Sequence, residues 1–101
     1  MKVIGLNASP RGKESRTLRL VNAVLQGARE EGAKTELVDV YSLRIEYCIA
    51  CGTCYETGDC VLLDDFPDLL ERMMDADGIV LGAPNYIDSV PAPLKAVFDR
   101  M

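Results

Sequence analysis

The chain has no histidine, so acid–base catalysis by imidazole is impossible in it. It is short of positive charge. Sixteen acidic residues against 11 basic ones leave a formal charge of -5, which argues against a general nucleic-acid binder and against a protein drawn to anionic membranes. Long apolar runs are missing as well. Val3–Leu6 is too short for the core of a signal peptide, and no later run reaches the length that spans a bilayer, so the cytoplasm is the expected compartment. No internal repeat, low-complexity tract or linker interrupts the 101 residues, and nothing in a composition that is 49% hydrophobic points to disorder. One modest core in a single domain, residues 1–101, is expected.

Cysteine is absent everywhere except one stretch. All four cysteines fall between Cys48 and Cys60, in the spacing Cys48-x2-Cys51-x2-Cys54-x5-Cys60. Two-residue gaps let successive thiolates turn inward on a tight loop, and Gly52 and Gly58 can take backbone angles that other residues avoid. Three cysteines at two-residue gaps plus a fourth shortly after match the run that ligates a four-iron, four-sulfur cluster, and this reading ranks first. Structural zinc ranks second, because zinc sites more often present two Cys-x2-Cys pairs across a longer loop. Redox-active or spare thiols come third, and disulfides require an oxidising compartment that nothing else in the chain supports.

Along the chain, Val3-Ile4-Gly5-Leu6 is a short continuous apolar run ending in Asn7-Ala8-Ser9-Pro10, as a buried strand entering a loop should be. Leu18, Val21, Leu25 and Ala28 then recur at helical spacing, with Gly32 as the stop. Thr35–Val40 alternates in polarity and predicts a less buried strand at a sheet edge. After the cysteine loop, Asp64-Asp65 precede Phe66, Leu69, Leu70 and Met73, which predicts a helix capped by a carboxylate with Pro67 in its first turn. Residues 78–83 form a second continuous apolar run, expected as a central strand beside the first. A last helix begins near Pro91 and Pro93, presents Leu94, Val97, Phe98 and Met101 on one face, and is expected to continue to the end of the chain. Strands alternating with helices imply a parallel βαβ architecture with right-handed crossovers.

The loop between the first strand and the first helix is where an anion would bind, because free amides and the positive end of the helix dipole converge there. Arg11, Lys13, Arg16 and Arg19 place four of the 11 basic residues in nine positions, beside the hydroxyls of Ser9, Ser15 and Thr17. Two nucleotide motifs are excluded. Gly12-Lys13 is followed by Glu14 without the earlier glycine of a Walker loop, and no Gly-x-Gly-x-x-Gly follows the strand. From the loop alone, a phosphate site and an ordinary helix cap by Ser15 or Thr17 are equally good readings.

Ser9-Pro10-Arg11 with Ser15 and Thr17, then the cysteine array, then Pro84-Asn85-Tyr86, and Leu94-Lys95 with Asp99-Arg100, together resemble the iron-sulfur flavoproteins of the flavodoxin-like superfamily, which also contains NAD(P)H-dependent FMN reductases. The resemblance implies a three-layer α/β fold: a doubly wound parallel sheet of strand order 2-1-3-4-5 with FMN at the carboxyl ends of the strands. The 101 residues reach only the third strand and its helix, so they are expected to be the N-terminal part of such a domain. It implies that Ser9, Arg11, Ser15 and Thr17 hold the FMN phosphate. Arg16 stands where many relatives carry asparagine, bringing a charged contact in place of an amide one. Pro84, Asn85, Tyr86 and Ile87 match the segment beside the isoalloxazine ring, and Cys48, Cys51, Cys54 and Cys60 match the ligands of a 4Fe-4S cluster.

No residue is singled out as catalytic. Asp64 and Asp65 are assigned to helix capping, Leu94, Phe98, Met73 and Met74 to core or interface, and Lys95, Asp99 and Arg100 to the surface or to subunit contacts. The implied activity is FMN-dependent electron transfer, with the cluster relaying electrons to or from a carrier such as ferredoxin. The alternative is an NAD(P)H-dependent reductase of FMN or quinones whose cysteines bind zinc or are free. A third reading, a zinc-stabilised interaction module without flavin, differs in class. The resemblance also implies a homodimer or homotetramer.

Overall fold

A computed structural model describes residues 1–101. Three parallel strands, β1 (Lys2–Asn7), β2 (Lys34–Asp39) and β3 (Gly78–Gly82), form a sheet in the order β2-β1-β3. The register is unbroken: Ile4 is level with Glu36 and Ile79, and Asn7 with Asp39 and Gly82. All three strands therefore end together, at the edge where the loops carrying the candidate residues begin.

Helix α1 (Arg16–Glu30) lies on one face of the sheet, with Val21 and Leu25 buried beneath it. Two glycines permit that approach. A Cβ on Gly5 would come within 2.9 Å of Val21 Cγ1, and one on Gly82 within 2.2 Å of Val21 Cγ2 and 3.0 Å of the Thr17 methyl. The sequence thus leaves out side chains on the strands where the helix must come close, and the first turn of α1 is set down beside the end of β3.

The opposite face carries α3 (Phe66–Asp75) and α4 (Ala92–Asp99). Ile4, Leu6, Phe66, Leu69, Leu94 and Val97 form one buried cluster there. Removing each such side chain from water contributes about 1.5–3 kcal/mol before the entropy of ordering it is subtracted. Glu36 on β2 accepts from Arg72 of α3 (Nε to Oε1, 2.7 Å) and lies 3.5 Å from Lys2 Nζ, which ties α3 to the sheet edge. The Arg72 guanidinium, with some loss to burial, holds the Glu36 carboxyl below the usual range.

The order β2-β1-β3 agrees with the start of the expected 2-1-3-4-5 sheet, and Ile79 and Leu81 of β3, about half exposed, continue the face of Ile4 and Leu6. Several expectations are revised. Helix α4 ends at Asp99, and Met101 lies beyond it, exposed, so it is not part of the apolar face. Met73 is in the core but Met74, one position round α3, is exposed. The cysteine stretch contains a short helix, α2 (Thr53–Thr57), where a loop was expected. Phe66 N is capped by Asp64 (3.0 Å), while Asp65 makes no cap bond. Arg100, expected at the surface or in a subunit contact, is buried within the chain.

Candidate functional site

Two sites stand at the carboxyl end of the sheet and beside α3. The first begins where β1 ends. Asn7, Ala8 and Ser9 are all buried, and Ala8 N donates to Gly82 O (2.8 Å), which joins the loops after β1 and β3. The chain then turns through a short 3-10 segment, Gly12–Glu14, with Gly12 in the left-handed region at φ 57°. Ser9 Oγ accepts from Arg11 N (3.3 Å) and Ser15 Oγ accepts from Leu18 N (3.0 Å), so both hydroxyls shape the loop. Ser15 is the N-cap of α1, and Arg16 and Thr17 occupy the first turn, where amide groups have no carbonyl one turn back within the helix.

The loop after β3 closes the other side. Tyr86 and Ser89 exchange backbone hydrogen bonds (2.9 and 3.1 Å) around a two-residue turn in which Ile87 and Asp88 both have positive φ, 50° and 58°. A β-branched residue in that conformation is strained, and Ile87 is fully exposed at the tip. Tyr86 lies near Tyr41, whose phenol is pushed up by burial and by the neighbouring Tyr86.

Between the two loops is a cavity of about 290 Å³ lined by Ser9, Arg11, Ser15, Arg16, Thr17, Pro84 and Tyr86. Seven of the nine residues singled out in the sequence meet here, from segments more than 60 positions apart. Asn85 and Ile87 belong to the same turn but do not line the cavity. Neither Arg11 nor Arg16 has a carboxylate partner, so two guanidinium groups and the helix N-terminus face one small volume without a counter-charge from the protein. Sequence reading missed Asn7, whose Oδ1 is buried at the end of β1 without a partner.

The second site is the cysteine stretch. Its two ends are stitched together at the base. Asp64 Oδ2 accepts from Glu46 N (2.7 Å) and from Arg100 Nη1 (2.5 Å), Asp65 Oδ2 accepts from Arg44 N (2.6 Å), and Asp65 N donates to Arg44 O (3.0 Å). Burial opposes the Asp64 charge, but the bonds from Arg100, Glu46 N and Phe66 N prevail and lower its pKa to about 2. Sequence reading left this clasp unseen because its members, capping residues and a terminal arginine, are 36 positions apart.

Beyond the clasp, Gly52 and Gly58 flank α2 in left-handed conformations, φ 80° and 82°, as expected of these glycines, and Ala50 shares that region at 55°. Cys48 Sγ accepts from Ala50 N (3.5 Å). The Thr53 hydroxyl and backbone N–H hold the Cys51 thiol below its ordinary range. Cys48, Cys51 and Cys54 are exposed, Cys60 is half-buried, and all four are unpaired thiols. They border one cavity of about 910 Å³, together with Phe66, Leu70 and Arg100, but no three of them are drawn together into a metal-holding cluster. The four thiols share a cavity; they do not yet converge on a point.

A parallel sheet ordered 2-1-3, helices on both faces and a cavity lined by hydroxyl and guanidinium side chains at the first strand-to-helix turn define a flavodoxin-like α/β protein. The family model for NADPH-dependent FMN reductase matches residues 1–101, and the chain belongs to that family. An iron-sulfur flavoprotein of Methanocaldococcus jannaschii is 43% identical over 99% of this chain and 51% of its own length. A second, from Methanosarcina thermophila, is 40% identical over 99% of this chain and 52% of its own. Among solved structures, an NAD(P)H:quinone oxidoreductase from Methanothermobacter marburgensis superposes with a TM-score of 0.79 at 28% identity, covering 99% of this chain and 52% of that one. The chain spans about half the length of the curated relatives it matches. No helix is long and apolar enough to cross a membrane.

Proposed function

We propose that this chain carries the FMN-phosphate cradle and the metal-binding cysteines of a flavin-dependent electron-transfer oxidoreductase. The observation that carries the reading is the 290 Å³ cavity, which gathers buried hydroxyls, two unpaired guanidinium groups and a helix N-terminus at the end of β1. A phosphate fits that donor set. Arg11 and Arg16 supply charge, Ser9, Ser15 and Thr17 supply hydroxyls, and the first turn of α1 supplies amides. Pro84, Asn85, Tyr86 and Ile87 would border the flavin ring, on a segment that includes the strained Ile87–Asp88 conformation.

The cysteine cavity fits a soft cationic centre by the chemistry of its donors, four thiols with an adjacent buried cation to moderate their combined charge. Cys48, Cys51, Cys54 and Cys60 would hold a 4Fe-4S cluster there, in a half-open loop whose base is already clasped. Bound FMN supplies one- and two-electron redox chemistry and a cluster supplies single-electron exchange with a carrier such as ferredoxin or, through the flavin, with NAD(P)H. The protein's own part is to position the two groups, to exclude water from the phosphate and to fix the charge around each. A cytoplasmic homodimer or homotetramer accords with this reading.

The test is an absorption spectrum of anaerobically purified protein with iron, sulfide, zinc and FMN measured on the same sample. Flavin bands with about four iron and four sulfide per chain are expected. Flavin with zinc and no iron would point instead to an NAD(P)H-dependent reductase with a structural metal, and colourless zinc protein to an interaction module.

A further inference from the structure

Arg100 is a buried cation with unused donors. Its side chain is fully enclosed, its guanidinium carbon stands 4.5 Å from the Phe66 ring centre, and Nη1 donates to Asp64 Oδ2 (2.5 Å) and Glu46 O (3.2 Å). Nε and Nη2 are buried with no partner. A guanidinium presents its donors in a planar fork, and desolvated donors without an acceptor are costly. Asp64 accepts from Arg100 Nη1, Glu46 N and Phe66 N and does not take them. Arg100 and Cys60, the one half-buried thiol of the four, border the same cavity.

We propose that Arg100 is the outer-sphere donor of the cysteine centre: its free Nε and Nη2 edge hydrogen-bonds the sulfur of Cys60 when that sulfur is a metal-bound thiolate. The proposal rests on the reading that these cysteines hold an iron-sulfur cluster. Asp64 then has a second role beyond the cap. It holds the guanidinium through Nη1 and leaves the Nε and Nη2 edge unused. A cluster becomes more negative on reduction, so a fixed cation and donor at one sulfur favours the reduced state and raises the reduction potential. Arg100 is thus a positioning and tuning residue, acting through Cys60.

The experiment is a potentiometric titration of the cluster, with iron and sulfide analysis, in the wild-type protein and in Arg100→Lys and Arg100→Gln. Both variants are expected to keep the iron and sulfide of the wild type and to titrate at a more negative potential, the glutamine variant further than the lysine variant, which keeps the charge but loses the fork. An unchanged potential in a fully loaded lysine variant would overturn the proposal and leave Arg100 a clasp alone. Wild-type protein labelled with nitrogen-15 at arginine gives a check that needs no variant to fold. Its reduced cluster should show magnetic coupling to an arginine nitrogen, and absence of that coupling would also overturn the assignment. Zinc in place of iron in the wild type would refute the parent reading, whereas iron with an unmoved potential refutes only the role of Arg100.

Discussion

The phosphate cradle and the cysteine loop illustrate two ways of building a site. The cradle is made largely of backbone and short hydroxyl side chains at the end of the most buried strand, and the same packing that forms the core holds it in shape. The cysteine loop is tied only at its base, by Asp64, Asp65, Arg44 and Arg100, and leaves three of its four thiols exposed. A site built into strand and helix ends is ordered by folding itself. One made from thiols on an open loop would be drawn together by the metal proposed for it, through the coupling of metal binding to local folding.

The strongest way to break this comparison is Cys54→Ser. It is expected to abolish bound iron while leaving FMN binding largely intact, by metal and flavin analysis of one sample; loss of both cofactors from a folded variant would show that the two sites form as one. Next in size is Gly82→Ala, whose new Cβ would stand 2.2 Å from Val21 Cγ2. Overpacking there should cost about 3 kcal/mol in urea denaturation and distort the cradle. Pairing it with Val21→Ala should restore part of the loss, and no recovery would mean that close helix approach is not the cause.

The clasp has its own signature in pH. Asp64 titrates at about 2 in the folded chain against an ordinary value of 3.8, so its contribution is present above pH 4 and disappears as pH falls from there through 2. That contribution is about 2 kcal/mol. Denaturation midpoints should decline across that window in the wild type and less so in Asp64→Asn; parallel curves would sink the assignment. The smallest effect is expected of Arg11→Ala, which should weaken FMN about tenfold, near 1.4 kcal/mol, and spare the cysteine centre. Calorimetric titration with FMN measures it, and an unchanged affinity would remove Arg11 from the cradle.

Much of the cradle was legible in the sequence. Strand, loop and helix follow one another within 20 residues, and their signals, an apolar run, Ser and Arg, then apolar residues at helical spacing, are local. The segment 84–87 came into the site through the family resemblance, and Pro84 and Tyr86 do line the cavity, whereas Asn85 and Ile87 do not. The cysteine spacing announced soft-metal chemistry but not the helix inside the stretch. Arg100 was misplaced at the surface or in a subunit contact because a basic residue after an apolar helix has no local sign of its partner.

The sequence by itself determined the alternation of strands and helices, the position of the anion loop and the set of four thiols, since each depends on periodicity or spacing over a few residues. Only the tertiary structure decided that Gly5 and Gly82 admit α1 to the sheet and that Asp64 and Arg100 close the base of the cysteine loop over Phe66. Those are contacts between segments far apart in the chain, set by which faces pack together and by the cost of leaving a buried charge without a partner.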